Sequence, residues 1–145
     1  MKYKDLSWFS RYFLRLPYLF YNEKTSVLYG KRFIQITTVG RTTNKERKTL
    51  LEVIGIYKNS PVVIAAFGDK SDWVKNLRKN SKTVVVWSNK KYESNVLWLD
   101  NKDSKIILKQ YEKNHSKLVK FYERILKLAW YDFSNLPICY FPEES

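Results

Sequence analysis

The chain has 145 residues, 44% of them hydrophobic and 17% aromatic, and carries a formal net charge of +13. A length of this order sets the expectation of one domain with one continuous core, and the apolar content excludes a disordered chain. One Cys and one His exclude an internal disulfide or a cysteine-based metal centre, and no metal site is expected.

Residues 4–21, within an N-terminal segment 1–22, read as an amphipathic helix. Leu6, Phe9, Phe13, Leu16 and Phe20 recur at three- and four-residue spacing, and Pro17 should kink or end it. Lys2, Lys4, Arg11 and Arg15 decorate its other side; Arg11 and Arg15 also interrupt the apolar run, so it does not read as a secretory signal. Such a helix packs on the body of the protein or meets a membrane interface or RNA. No run of apolar residues is long enough to span a bilayer, so the expected location is the cytoplasm.

A β-rich stretch follows. Phe33–Val39 alternates and is rich in β-branched residues, which predicts a strand. Residues 40–48 are a polar, basic loop, and 49–57 a second strand. Lys58-Asn59-Ser60-Pro61 is turn chemistry. A third strand, 61–67, is apolar on both faces and ends at Gly68. A short helix is expected over 72–80, capped by Ser71 or Asp72. Strands over 83–88 and 91–99 flank the turn Asn89-Lys90-Lys91. A long helix is expected over 103–131, with Ile107, Tyr111, Leu118, Tyr122, Ile125 and Ala129 along one stripe. Asn135-Leu136-Pro137 breaks it, and 137–141 is a last strand. This order predicts an α+β domain in which a meander closes on itself to protect its edges. Cys139, inside an apolar run, is expected to be a buried, inert thiol. His115, in a Lys-rich stretch with no supporting motif, is not expected to be catalytic.

Two segments resemble a known family. Thr37-Thr38-Val39-Gly40-Arg41-Thr42-Thr43-Asn44-Lys45-Glu46-Arg47-Lys48-Thr49-Leu50-Leu51-Glu52 is similar to T-T-x-G-R-x-S-G-x-x-R-x-T-P-L-E of the deazaflavin-dependent nitroreductases and quinone reductases. Phe67-Gly68-Asp69-Lys70-Ser71-Asp72-Trp73-Val74-Lys75-Asn76-Leu77 resembles that family's glycine followed by D-W-x-x-N-L. Leu136-Pro137-Ile138 resembles the I-P-V of its closing strand, so the likeness covers roughly residues 5–142. It implies a split β-barrel of about six mostly antiparallel strands. It also implies a deazaflavin (coenzyme F-420) or flavin mononucleotide (FMN) in a groove, with hydride passed to a small quinone or nitroaromatic acceptor. By resemblance, Arg41, Lys45, Arg47 and Lys48 would hold the anionic tail of the coenzyme. Phe67, Gly68, Trp73 and Asn76 would shape the second wall, and Tyr122 would be the aromatic of the late helix near the acceptor. Guanidinium forks and backbone N–H groups suit that anion, and the cofactor, not the protein, carries the redox chemistry.

The sequence departs from the pattern at Thr43-Asn44, where the family has Ser-Gly, at Leu50, where it has Pro, and at Asp69, a carboxylate after the single glycine. Asn accepts a positive φ, which would preserve the turn. The structural alternative for Asp72-Trp73 and Asn76-Leu77 is a helix cap and a core anchor.

A second class of function is carried by charge. Residues 1–48 hold 11 basic and 3 acidic residues, and 70–91 hold 7 and 1. Lys and Arg interleaved with Trp and Tyr are the footprint of RNA binding, of which ribosome association without a cofactor is the concrete form. On that alternative Lys70, Lys75, Arg78, Lys79, Lys82, Lys90 and Lys91, with Arg11 and Arg15, would meet phosphates. Trp87, Tyr92 or Trp8 would then stand partly exposed beside them. The sequence leaves the oligomeric state open.

Overall fold

The computed structural model of the protein describes residues 31–144. The helix expected over 4–21, with Arg11, Arg15 and Trp8, lies outside them. Among the described residues eight strands form two four-stranded sheets, and every pairing is antiparallel. Sheet one has the order β2-β1-β5-β6, with β1 Phe33–Val39, β2 Glu46–Glu52, β5 Lys82–Trp87 and β6 Lys90–Asn95. Sheet two has the order β3-β4-β8-β7, with β3 Gly55–Tyr57, β4 Ser60–Ile64, β7 Leu97–Trp98 and β8 Ile138–Tyr140. This is an α+β split-barrel arrangement, without a closed ring of strand pairing among the described residues.

Eight strands appear where about six were expected, because two of the predicted runs change sheets midway. The Val53 N–H donates to the Arg32 carbonyl beside sheet one at 2.7 Å, and the next N–H, Ile54, donates to Val62 of sheet two at 2.8 Å. The expected strand 49–57 is therefore β2 and β3 joined at a corner. The expected strand 91–99 divides in the same way: Val96 donates to the Ser81 carbonyl, and Leu97–Trp98 pair with β8. Alternation of side chains survives a change of partner, so periodicity alone reads both runs as single strands. The strand β2 also begins at Glu46, inside the segment read as loop.

Sheet two is covered on both faces, which is why the Pro61–Ala65 run is apolar throughout. Val63, Cys139 and Phe141 face the first core with Ile34, Ile36, Val85, Trp73, Val74 and Leu77. Val62, Ile138 and Tyr140 face a second core under the late helices, with Ile107, Leu108, Tyr111, Val119, Trp130 and Phe133. Gly55 lets α2 (Asn101–Asn114) sit close, since a Cβ there would come within 2.9 Å of Ile107 Cγ2. Cys139 is buried and free, and burial raises its thiol pKa, as expected of an inert core cysteine.

The helix expected over 103–131 is broken. The first piece, α2, starts at Asn101, with the Asp100 carboxylate accepting from the Asp103 N–H at 2.8 Å. It ends at His115, whose φ of −141° and ψ of 47° are not helical, and α3 runs from Ser116 to Leu126. Lys127 then takes a left-handed φ of 53°, and Trp130–Asn135 forms a 3-10 segment that folds back over α2. Its Trp130 indole N–H donates to the Leu108 carbonyl at 2.9 Å. The phase of the apolar stripe shifts at the break, so Val119 is buried where Leu118 was expected to be. His115 is exposed, with its ring 4.8 Å from that of Tyr111.

Candidate functional site

The two family-like segments, 37–52 and 67–77, meet at one place. Between β1 and β2 the chain turns tightly. Gly40 N–H donates to the Lys45 carbonyl at 2.7 Å, and Asn44 N–H donates to the Gly40 carbonyl at 2.9 Å. Asn44 has φ 59°, so the turn survives without the family's glycine. A Cβ on Gly40 would lie 2.6 Å from Thr43 Oγ1 and 3.3 Å from the Lys45 carbonyl, so a side chain there would have to displace Thr43.

Helix α1, Asp72–Lys79, packs against β1 and brings its first turn alongside the hairpin. Ser71, one of the two candidate caps, is its N-cap. Acid in the first turn and Arg78 and Lys79 in the last match the helix dipole. Trp73 and Leu77 enter the first core. Between hairpin and helix lies a groove of about 420 Å³, lined by Gly40, Arg41, Thr42, Thr43, Arg47, Lys48, Thr49, Asp72, Trp73 and Asn76.

Arg41 is the joint between the two segments. Its backbone N–H and its Nη1 both donate to Asn76 Oδ1, at 3.2 and 3.0 Å. Its Nη2 lies 3.3 Å from Asp72 Oδ1. Its carbonyl accepts from Lys79 Nζ at 2.7 Å. Asn76 is 3% exposed and cannot swing away, because its Nδ2 donates to Thr38 Oγ1, itself 1% exposed. Among the described residues two of the five guanidinium N–H donors are engaged. Arg47 and Lys48 are exposed along the same wall. The arrangement concentrates donors and positive charge where an oxyanion would sit.

The other expected residues fall elsewhere. Phe67 and Gly68 line a second cavity of about 300 Å³, with Ala66, Leu126, Lys127, Leu128 and Leu136. Gly68 has φ +72°, a conformation that favours glycine. Lys45 stands at the hairpin tip and lines neither cavity. Asp69, the departure from the family pattern, is paired with Arg78 at 2.9 Å and points to solvent. Tyr122 lines neither cavity: its hydroxyl donates to Glu52 Oε2, while Tyr111 donates to Glu52 Oε1 at 2.7 Å. Burial first and the Glu52 charge second raise the pKa of both tyrosines, so both remain protonated donors. Glu52 and Tyr111 carried no assigned role in the sequence; the signal present was Glu52 closing the first family-like segment. Asp72 was read as a cap, and only the structure brings it to Arg41.

The residues of the RNA alternative are exposed but partly paired: Arg78 with Asp69 and over the Trp98 ring at 4.3 Å, and Lys90 with Glu143 at 3.7 Å. Lys70, Lys75, Lys82 and Lys91 are also exposed. Trp87 is 8% exposed, with its indole N–H on the Lys31 carbonyl, and the Tyr92 hydroxyl donates to the Phe141 carbonyl. Neither ring stands free as a stacking platform. No helix among the described residues is long and apolar enough to cross a membrane, and no group of residues among them could hold a metal.

No protein-family pattern and no curated protein matches the chain by sequence. Solved structures match by shape. An F-420-H2-dependent reductase has a TM-score of 0.57 at 14% identity, over 78% of this chain and 96% of its own. A domain-swapped dimer has a TM-score of 0.56 at 14% identity, over 78% and 81%. A putative 5-nitroimidazole antibiotic resistance protein of Bacteroides thetaiotaomicron has a TM-score of 0.57 at 8% identity, over 83% and 77%. The likeness is one of fold: the two antiparallel sheets of this chain share the split-barrel arrangement of these structures.

Proposed function

We propose that the chain binds a deazaflavin (coenzyme F-420) or FMN and passes reducing equivalents to a small oxidised acceptor, such as a quinone or nitroaromatic. One observation carries this reading: residues 40–49 and 72–76, the two segments that resemble the reductase family, fold into one cationic groove. The groove fits a phosphate-bearing tail. The Arg41 N–H donors without a partner among the described residues, the charges of Arg47 and Lys48, and the Thr42, Thr43 and Thr49 side chains offer more partners than one carboxylate needs. Asp69 and Asp72, which would repel such a tail, are each paired with an arginine.

The second cavity would take the conjugated ring against the side chains of Phe67, Leu126, Leu128 and Leu136. Gly68 and Asp72 are four residues apart, so their Cα atoms are at most about 14 Å from each other. One ligand with a ring and a phosphate tail can therefore address both places. Leu126 follows Tyr122 by four residues on α3, which puts the tyrosine on the same face one turn back. The bound coenzyme would supply the hydride. The chain would neutralise the tail, exclude water with Phe67 and Leu136, and hold the Tyr122 hydroxyl protonated on Glu52.

Titration of the protein with FMN and with F-420, followed by the visible absorbance and quenching of Trp fluorescence, tests the reading. Saturable binding of either coenzyme, lost in the Arg41→Ala/Arg47→Ala variant, is expected. Absence of binding for both, with nucleic acid co-purifying at low salt, would replace the reductase with the RNA-binding alternative.

A further inference from the structure

The guanidinium of Arg41 has two acceptors, and they differ in kind. Asn76 is neutral and 3% exposed, and Thr38 holds it from behind. Asp72 is charged, its side chain is 85% exposed, and among the described residues its carboxylate has one polar partner, Arg41 Nη2 at 3.3 Å. The first is a fixed support. The second can leave without exposing or orphaning anything buried. Asp72 also lines the groove whose other charged groups, Arg41, Arg47 and Lys48, are all cationic.

We propose that Asp72 is a place-holding carboxylate: it occupies the phosphate seat on Arg41 in the free protein and yields it to the phosphate of a ligand. Asp72 is then a specificity-determining residue. It keeps the cationic groove from trapping weak monoanions, and it sets a threshold that a phosphate, with more charge and more acceptor oxygens than a carboxylate, overcomes. The inference rests on the anion-binding part of the proposed function and not on the redox part.

It sets a sign that a structural role does not. As an acid in the first turn of α1, Asp72 also stabilises the helix dipole, and loss of that role alone lowers the melting temperature and leaves phosphate affinity unchanged. Removal of a competitor tightens binding. An exposed ion pair is worth up to about 1 kcal/mol, and carboxylate–phosphate repulsion adds to the cost of displacing it. Asp72→Asn should therefore bind about three- to tenfold tighter.

The test is a double-mutant cycle read by calorimetry, with inorganic pyrophosphate and FMN as separate probes. The proteins are the unmodified chain, D72N, R41Q and D72N/R41Q, with E143Q as a control. Glu143 pairs with Lys90 and does not line the groove, so E143Q removes the same charge elsewhere. The expected result is tighter pyrophosphate binding in D72N than in E143Q, a gain that persists at physiological salt and disappears in the R41Q background. Equal affinity in D72N, E143Q and the unmodified chain overturns the proposal. So does a gain that survives R41Q, because it then does not act through Arg41. The two readings fail separately. Pyrophosphate results as expected with no FMN or deazaflavin binding would leave the place-holder and remove the reductase; coenzyme binding with no D72N effect would do the reverse. D72N is an exposed substitution that keeps the fold, and its melting curve checks this directly.

Discussion

The two ends of β2 treat charge in opposite ways. At its start Arg47 and Lys48 stand in water on the wall of a polar groove, and the nearby Arg41–Asp72 pair is half open to solvent. At its end Glu52 sits half-buried against the second core, and both its oxygens are taken by tyrosine hydroxyls. The first end keeps donors in reserve, while the second consumes its acceptors in holding α2 and α3 to the sheet. A charge left wet and incompletely paired is available to a ligand; one that is desolvated and fully paired has become structure. The same strand thus carries a candidate binding wall and a structural staple seven residues long from end to end.

The largest expected effect lies at the wet end. Arg41→Ala/Arg47→Ala should cost about 3–6 kcal/mol of coenzyme binding, at about 1.5–3 per charged hydrogen bond, with little change in melting temperature. A large loss of stability instead would show that Arg41 is structural and erase the contrast. At the buried end Glu52→Ala should leave coenzyme contacts in the groove intact and cost about 3 kcal/mol of stability, because two buried hydroxyls lose a charged acceptor. Urea denaturation measures it, and a loss below about 1 kcal/mol would mean that water replaces the carboxylate without penalty.

The same staple predicts a pH dependence. The folded-state pKa values of Tyr111 and Tyr122 are raised above the ordinary 10.0, by burial first and by Glu52 second. A raised value means that the stability they contribute is fully present below pH 10 and is lost as pH climbs from there toward the folded values. Tyr92, raised chiefly by burial, adds to the same loss. Thermal melts should be flat from neutral pH to about pH 9 and fall steeply beyond about pH 10, and Glu52→Gln should soften that fall. The smallest effect belongs to Arg78, which joins Asp69 and the Trp98 ring at the surface. Arg78→Ala should cost about 0.5–1.5 kcal/mol, partly removed by salt.

Much of this was legible in the chain itself. Alternation marked β1 and β6, and the expected strand 61–67, apolar on both faces, contains β4 of the doubly covered sheet. Asn44 marked a turn within the basic loop, and Asp72-Trp73 and Asn76-Leu77 read as a cap and a core anchor of a short helix. These features are local: side-chain period and turn chemistry act over a few residues and need no knowledge of partners. The tertiary structure alone decided the rest. The corners at Val53–Ile54 and Val96 are changes of hydrogen-bonding partner, which leave no trace in the alternation. The break at His115 leaves the apolar spacing nearly intact, and Trp130 folds back onto Leu108 across 22 residues. The resemblance singles out Arg41 and Asn76, and Asp72 reads as a helix cap, but what joins the three is packing of α1 on β1, which no sequence interval records. For the same reason Tyr122 went to Glu52: a hydroxyl buried beside a carboxylate must pair with it, and only the fold determines which carboxylate is within reach.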